Sequence, residues 1–109
     1  MIFILKKAFP SDWSNEIKIR DGKNTIICDA WFKRSGKYHF LEVDSTQKMK
    51  ENRAKIEMYS QFYKTGRLSK HLGYFPVLIW LTTTEYRRQQ IKELCKDLAC
   101  EFYTINDIR

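Results

Sequence analysis

Three carboxylates stand on two neighbouring segments of this 109-residue chain, close enough together to do chemistry as a group. The stretch 25–47 reads TIICDAWFKRSGKYHFLEVDSTQ and carries Asp29 in its first half and Glu42 and Asp44 in its second. Both halves have strand-like patterning, and the Arg-Ser-Gly-Lys sequence between them is typical of a tight turn. The predicted hairpin therefore gathers carboxylates, which are ligands for hard cations such as Mg²⁺ that activate water.

The lengths of the turns set the register of the predicted strands. The turn between the two halves places Asp29 directly opposite Glu42. An earlier turn at 21–24 contains Asp-Gly and Asn, which tolerate positive φ, and it adds a third strand. In that strand Glu16 lies opposite Asp29, and Lys18 follows two residues later. The result is a three-stranded antiparallel meander.

This register divides the predicted sheet into two faces. One face is charged and aromatic: Glu16, Lys18, Arg20, Ile27, Asp29, Trp31, Tyr38, Phe40, Glu42 and Asp44. The other is almost wholly apolar and is expected to pack on helices: Ile17, Ile19, Ile26, Cys28, Ala30, Phe32, His39, Leu41 and Val43.

The row of opposed carboxylates requires compensation. Like charges directly opposite each other, with Cβ atoms about 5 Å apart, are destabilising. A bound divalent cation, a lysine or raised carboxylate pKa values could each supply that compensation. The alternative is a solvated sheet face whose carboxylates pair with Lys18 and Arg20.

The rest of the chain predicts an α/β fold. The patterning indicates, in order, a helix from residue 46 or 47 to about 65, a strand over 76–82, a helix from about 82 to 99 and a strand over 101–105. A short strand is also predicted over residues 1–5. Because the second half reads β-α-β-α-β, its strands are expected to be parallel.

The sequence also predicts where the two helices begin and end, and which residues of the second helix face inward. Ser45 or Thr46 can cap the first helix and Gly66 can end it. Thr82 and Glu85 have capping-box spacing for the second helix. Its inward residues are expected to be Tyr86, Ile91, Leu94 and Leu98.

Composition favours an anionic partner. The formal net charge is +7 and the pI is near 9.4, which makes DNA the first candidate partner. Phosphate contacts are expected from the basic side chains of the first helix and the segment after it: Lys48, Lys50, Arg53, Lys55, Arg67 and Lys70. Three cysteines without paired spacing read as free thiols, and no apolar run approaches the ~20 residues of a membrane span. A cytoplasmic protein is the expectation.

Four segments together resemble the plasmid replication-relaxation family: DAWF, FLEVDSTQ, YSQFYKTG and FPVLIWLTTTEYRR. The resemblance covers about Ile26 to Leu98. In that family the region resembles the restriction-endonuclease-like fold of the PD-(D/E)XK superfamily, whose members often cut DNA using Mg²⁺. The resemblance implies a sheet flanked by helices, with Asp29 at the metal-binding Asp and Glu42 at the acid of the E-x-K motif.

The chain departs from this pattern at one position, because Asp44 stands where the motif has its lysine. Lys18, in the predicted row of Asp44, is the best substitute, with Lys48 and Lys55 as second choices. In this interpretation Asp29 and Glu42, helped by Asp44 or Glu16, hold Mg²⁺ or Mn²⁺.

Three functions follow from these features. The first is a metal-dependent DNA endonuclease, and the second is a catalytically inactive nuclease-like module that binds DNA. The third is a protein-interaction domain that uses Trp31, Tyr38 and Phe40 as an exposed aromatic patch for a partner or for a homodimer. The 109 residues are expected to form a single nuclease-like domain, either standing alone or as a fragment without the winged-helix segment that family members often carry.

Overall fold

Five strands form one mixed sheet in the computed structural model, which describes residues 13–107. They are β1 (Ser14–Asp21), β2 (Asn24–Arg34), β3 (Lys37–Val43), β4 (Val77–Thr82) and β5 (Cys100–Thr104). The strands lie side by side in chain order. β1, β2 and β3 are antiparallel, while β3, β4 and β5 are parallel. The predicted meander followed by a parallel unit is confirmed, and the strand predicted over residues 1–5 lies outside the described residues.

Helices provide the connections between the parallel strands. α1 (Met49–Thr65) and α2 (Arg67–Leu72) join β3 to β4, and α3 (Glu85–Leu94) joins β4 to β5. A short 3₁₀ turn, Ile105–Asp107, follows β5. The described residues therefore form an α/β fold with a five-stranded mixed sheet flanked by helices. α2 is not among the helices predicted from the sequence.

The helix ends differ in part from the prediction. α1 begins after Lys48, which has no side-chain capping bond, so the capping roles predicted for Ser45 and Thr46 are wrong. Gly66 ends α1 as predicted, because its φ of 72° is readily adopted only by glycine. α3 is capped by Thr84, whose hydroxyl accepts the backbone N–H of Arg87 at 3.2 Å.

The main core lies between the sheet and the helices. Its members are each at most 5% exposed: Ile26, Cys28, Phe40, Ile56, Tyr59, Phe62, Leu78, Trp80, Ile91 and Cys95. A second cluster occupies the opposite face of the sheet, since successive strand residues point to opposite faces. Its buried members are Ala30, Phe32, Leu41, Ile79 and Leu81. Burial of these two apolar sets is the main source of stability.

The predicted register is confirmed where the strands pair, but the predicted pairs of Asp29 with Glu16 and with Glu42 are absent from the ladders. The predicted faces hold only up to Asp29. Lys18 pairs with Ile27, and Ala30 pairs with Leu41. Cys28 nevertheless packs with the helix-facing core, while Ala30 packs in the opposite cluster. Regular alternation would place these two on one face. The alternation breaks at Asp29, opposite Glu16, which has a φ of 46° and is unpaired in the ladder between β1 and β2.

Because of this break, only part of the predicted apolar face packs on the helices. Ile17 and Ile19 contact the helix-facing core together with Ile26 and Cys28, as predicted. The residues beyond Asp29 belong to the other cluster, so the prediction that they pack on the helices is wrong for Ala30, Phe32, Leu41 and Val43.

The predicted aromatic patch is also wrong. Phe40 is fully buried, with its ring centroid 5.1 Å from that of Tyr59 in α1. Trp31 is half-buried and stacks on Tyr38 with a centroid distance of 4.3 Å. The Phe40 ring therefore lies beneath α1, and Trp31 is partly buried against the same core. Conversely, Tyr86 was predicted to point inward and is 74% exposed.

Candidate functional site

Asp29 lies where β2 and β3 separate. The last paired positions of these strands on this side are Ala30 and Leu41. Beyond them, the Oδ2 atom of Asp29 accepts the backbone N–H of Val43 at 2.7 Å. A side chain thus takes a hydrogen bond that would otherwise belong to the ladder between the strands. This bond fixes the half-buried Asp29 carboxylate beside the end of β3.

Glu42 lies next to Asp29 and beneath α1, with only 1% of its surface exposed. Its two carboxylate oxygens contact the ammonium of Lys55 and the hydroxyl of Tyr59. Burial raises the pKa of Glu42 to about 7, although Lys55 and Tyr59 act in the opposite direction. The negative charge of Asp29 adds to the rise in this pKa, as expected for neighbouring carboxylates.

One row of α1 supplies polar partners to β3. Asn52, Lys55 and Tyr59 recur at the spacing that places side chains on one helix face. Asn52 contacts Asp44, while Lys55 and Tyr59 contact Glu42. From the sequence, Lys55 is an expected phosphate contact and a second choice for the motif lysine, whereas Tyr59 is not among the predicted site residues. Helical spacing could have identified this row, because it places Asn52 and Tyr59 on the inward, otherwise apolar face of α1.

Asp44 is fully buried and separate in its contacts from the Asp29–Glu42 pair. Its carboxylate accepts hydrogen bonds from Arg87 Nε at 2.6 Å, Arg87 Nη2 at 2.9 Å and Thr82 Oγ1 at 2.6 Å. Asn52 donates a further bond at 3.2 Å. Burial by itself would raise the pKa of Asp44, but the bonds from Arg87, Thr82 and Asn52 outweigh burial and hold the pKa below its ordinary value. Asp44 is therefore an ion-pair partner of Arg87 in this structure.

The predicted group of four carboxylates does not form. Glu16 is exposed, and its ladder pair with Asp29 is missing at the break in β1. Lys18 is exposed opposite Ile27, and no ion pair within residues 13–107 joins it to Asp29 or Glu42. In that same range, no three His, Cys, Asp or Glu side chains are grouped to hold a metal ion. The site that does form consists of Asp29, Glu42 and Lys55.

An open cleft of about 420 Å³ gives access to this site. Its lining residues come from the middle of β2, the end of β3, the loop after β3 and the first turns of α1: Asp29, Val43, Gln47, Glu51, Asn52, Ala54 and Lys55. The Lys55 side chain is 38% exposed, while Glu42 lies buried behind it. A ligand in the cleft would therefore meet Asp29 and Lys55 first.

The donor set fits a hard divalent cation. Mg²⁺ is commonly bound by one or two carboxylates and keeps several waters. Asp29 and Glu42 supply two carboxylates with no histidine or thiol between them, which favours Mg²⁺ or Mn²⁺ over Zn²⁺. Lys55 neutralises Glu42 in the present structure and is exposed enough to move aside.

The basic residues fall into two groups. Lys48 and Lys50 are exposed at the start of α1, next in the chain to cleft residues, whereas the exposed Arg53 lines a separate cavity between α1 and α3. Arg67 and Lys70 are exposed on α2, beyond the far end of α1, about 25 Å away along the helix axis. Arg67 also pairs with Asp21 at 2.7 Å, which offsets part of its charge. Lys48 and Lys50 are therefore better placed to contact a phosphate backbone at the cleft.

Comparison of the chain with protein-family models, with curated proteins and with solved structures found no match. Among the helices within residues 13–107, none is long and apolar enough to cross a membrane.

Proposed function

We propose that this chain is a nuclease-like DNA-acting domain of the plasmid replication-relaxation type that hydrolyses phosphodiester bonds with Mg²⁺ or Mn²⁺. The observation that supports this proposal is the placement of Asp29 and Lys55 at one open cleft, with Glu42 buried behind Lys55 and in contact with it. The net charge of +7 favours a polyanionic substrate. The proposed substrate is therefore DNA in the cytoplasm.

The chain's own residues have distinct roles in this proposal. Asp29 and Glu42 would hold the divalent cation, which supplies an activated water and charge stabilisation at the phosphate. The Val43 N–H orients Asp29, and the Tyr59 hydroxyl orients Glu42. Lys55 would leave Glu42 and offset negative charge on the scissile phosphate.

Lys55 thus replaces the lysine that the E-x-K motif has at the position of Asp44. It reaches Glu42 from a helix rather than from the strand. Lys18, the substitute preferred from the sequence, is exposed opposite Ile27, and within residues 13–107 no ion pair supports this role.

The test is cleavage of single-stranded and supercoiled plasmid DNA in Mg²⁺ or Mn²⁺. Asp29→Asn and Glu42→Gln are expected to abolish cutting, and Lys55→Met to reduce it strongly. Glu57→Gln is the matched control, because Glu57 is an exposed acid on α1 that does not line the cleft. Titration with Mn²⁺, followed by calorimetry, should show a site that Asp29→Asn removes and Glu57→Gln retains. Cutting that persists in both Asp29→Asn and Glu42→Gln would refute the proposal.

A catalytically inactive DNA-binding or protein-binding module is the second candidate. The contacts of the buried acids favour it, because both carboxylate oxygens of Glu42 already have hydrogen-bond partners and Asp44 is paired with Arg87. DNA binding would then need no metal, would weaken steeply with salt and would be unchanged in Asp29→Asn. Metal-independent binding without cutting would select this candidate.

A further inference from the structure

The loop that joins β3 to α1, residues 44–48, has an unfavourable backbone conformation. Thr46 has a φ of 71°, in the left-handed region that β-branched residues rarely adopt. Such a conformation persists only where surrounding contacts hold it. The adjoining helix start adds no side-chain cap at Lys48. Contacts from elsewhere must therefore fix this loop.

Arg87 supplies the contacts at both ends of the loop. Its guanidinium binds the Asp44 carboxylate at the first residue of the loop at 2.6 and 2.9 Å. Its Nη2 also donates to the backbone carbonyl of Gln47 at 2.6 Å. One planar group thus spans the strained residue, and only a fork of several N–H donors can do this.

The loop in turn is tied to the cleft by Gln47. The Gln47 side chain accepts the N–H of Ser45 at 2.8 Å and donates to Asn52 Oδ1 at 2.7 Å. Gln47 and Asn52 both line the cleft that contains Asp29. Asn52 also lies one turn before Lys55, so these bonds connect the loop to the part of α1 that carries Lys55.

We infer that Arg87 is a positioning residue of the cleft: by clamping the loop 44–48 it sets where Gln47 and Lys55 stand relative to Asp29 and Glu42. This inference rests on the proposed function for its effect on cutting. Its structural part, the clamping of the loop, is independent of that function.

Arg87→Lys separates positioning from simple neutralisation of a buried charge. Lysine keeps a positive charge for Asp44 but has no fork with which to reach the Gln47 carbonyl as well. Arg88→Lys is the matched control on the same helix, since Arg88 pairs with Glu85 and with Asp107 at 2.7 Å. Neither of those partners lines the cleft.

The experiment measures amide hydrogen exchange together with single-turnover cutting of DNA in Mn²⁺. In Arg87→Lys, the amides of residues 45–52 should exchange about tenfold faster than in the wild type, while β4 is unchanged. The cutting rate should fall about tenfold with unchanged affinity for DNA. Arg88→Lys should match the wild type in both measurements.

Two results would overturn the inference. One is exchange of residues 45–52 in Arg87→Lys within about twofold of the wild type. The other is faster loop exchange with an unchanged cutting rate. If the wild type does not cut, the proposed function fails, and the exchange measurement still decides whether Arg87 clamps the loop. If Arg87→Lys does not fold, the charge-neutral pair Asp44→Asn with Arg87→Gln replaces it, and the same exchange criteria apply.

Discussion

Glu42 gives the protein a dependence of stability on pH whose sign and size can be worked out. Its folded-state pKa is raised from 4.5 to about 7, chiefly by burial. Between these two values the folded protein keeps a proton that the unfolded chain has released. The free energy of unfolding therefore falls as the pH rises through this window. This direction is opposite to that of a salt-bridged carboxylate whose pKa is lowered.

The size of the effect follows from the two pKa values. Each unit of difference corresponds to about 1.36 kcal/mol, so the change from 4.5 to about 7 amounts to about 3 kcal/mol. Most of it falls between about pH 5 and about pH 8. Glu42→Gln removes the titration and keeps an oxygen that can accept the Tyr59 hydroxyl. The difference in stability between wild type and variant should therefore shift by about 3 kcal/mol in favour of the variant as the pH rises.

The assay is urea unfolding across this pH range in buffer with a metal chelator. His39 also titrates in the window, since burial lowers its pKa and gives a slope of opposite sign. It is present in both proteins and cancels in their difference. In Lys55→Met, the loss of the nearby positive charge should move the window to higher pH. Parallel curves for wild type and Glu42→Gln would refute the reasoning.

Three further predictions concern the loop, the core and the basic residues. Thr46→Gly should raise the free energy of unfolding by about 1 kcal/mol in urea titrations, because glycine adopts positive φ without strain; a loss of stability would contradict the strain at this residue. Phe40→Ala should cost about 3–5 kcal/mol, while Tyr86→Ala should change stability by less than about 0.5 kcal/mol; equal effects in thermal unfolding would contradict the burial assignments. A triple variant with Lys48→Met, Lys50→Met and Arg53→Met should reduce the slope of log affinity for DNA against log salt concentration by about 3, as measured by fluorescence anisotropy. An unchanged slope would exclude these side chains from the interface.

Turn chemistry made much of the fold predictable from the sequence. The Asp-Gly-Lys-Asn and Arg-Ser-Gly-Lys turns specify short hairpins, so the pairing of Lys18 with Ile27 and of Ala30 with Leu41 follows from counting residues. The order of helices and strands in the second half follows from periodicity. Both features depend on residues that are close together in the sequence, so local sequence patterns are enough to predict them.

The candidate site was less predictable because it depends on contacts between distant segments. Alternation of faces assumes an unbroken pleat, and no glycine marks the positive φ at Glu16 that breaks it. The pairing of Asp44 with Arg87 joins a strand end to a helix start that is 43 residues later. Lys55 ranked below Lys18 as a substitute for the motif lysine, because only the burial of Glu42 beneath α1 shows which lysine contacts it.

The Arg87 clamp also has a consequence for when the cleft can form during synthesis. The β1–β2–β3 meander and α1 contain Asp29, Glu42 and Lys55, and all of them leave the ribosome before α3 does. Until Arg87 emerges, Asp44 has no cation and the loop after β3 has no brace. Contacts between segments so far apart form late, since they require closure of a long chain segment. The cleft is therefore completed only when the second half of the sheet has formed. A nascent chain would already contain Asp29, Glu42 and Lys55, but their positions relative to one another would not yet be fixed.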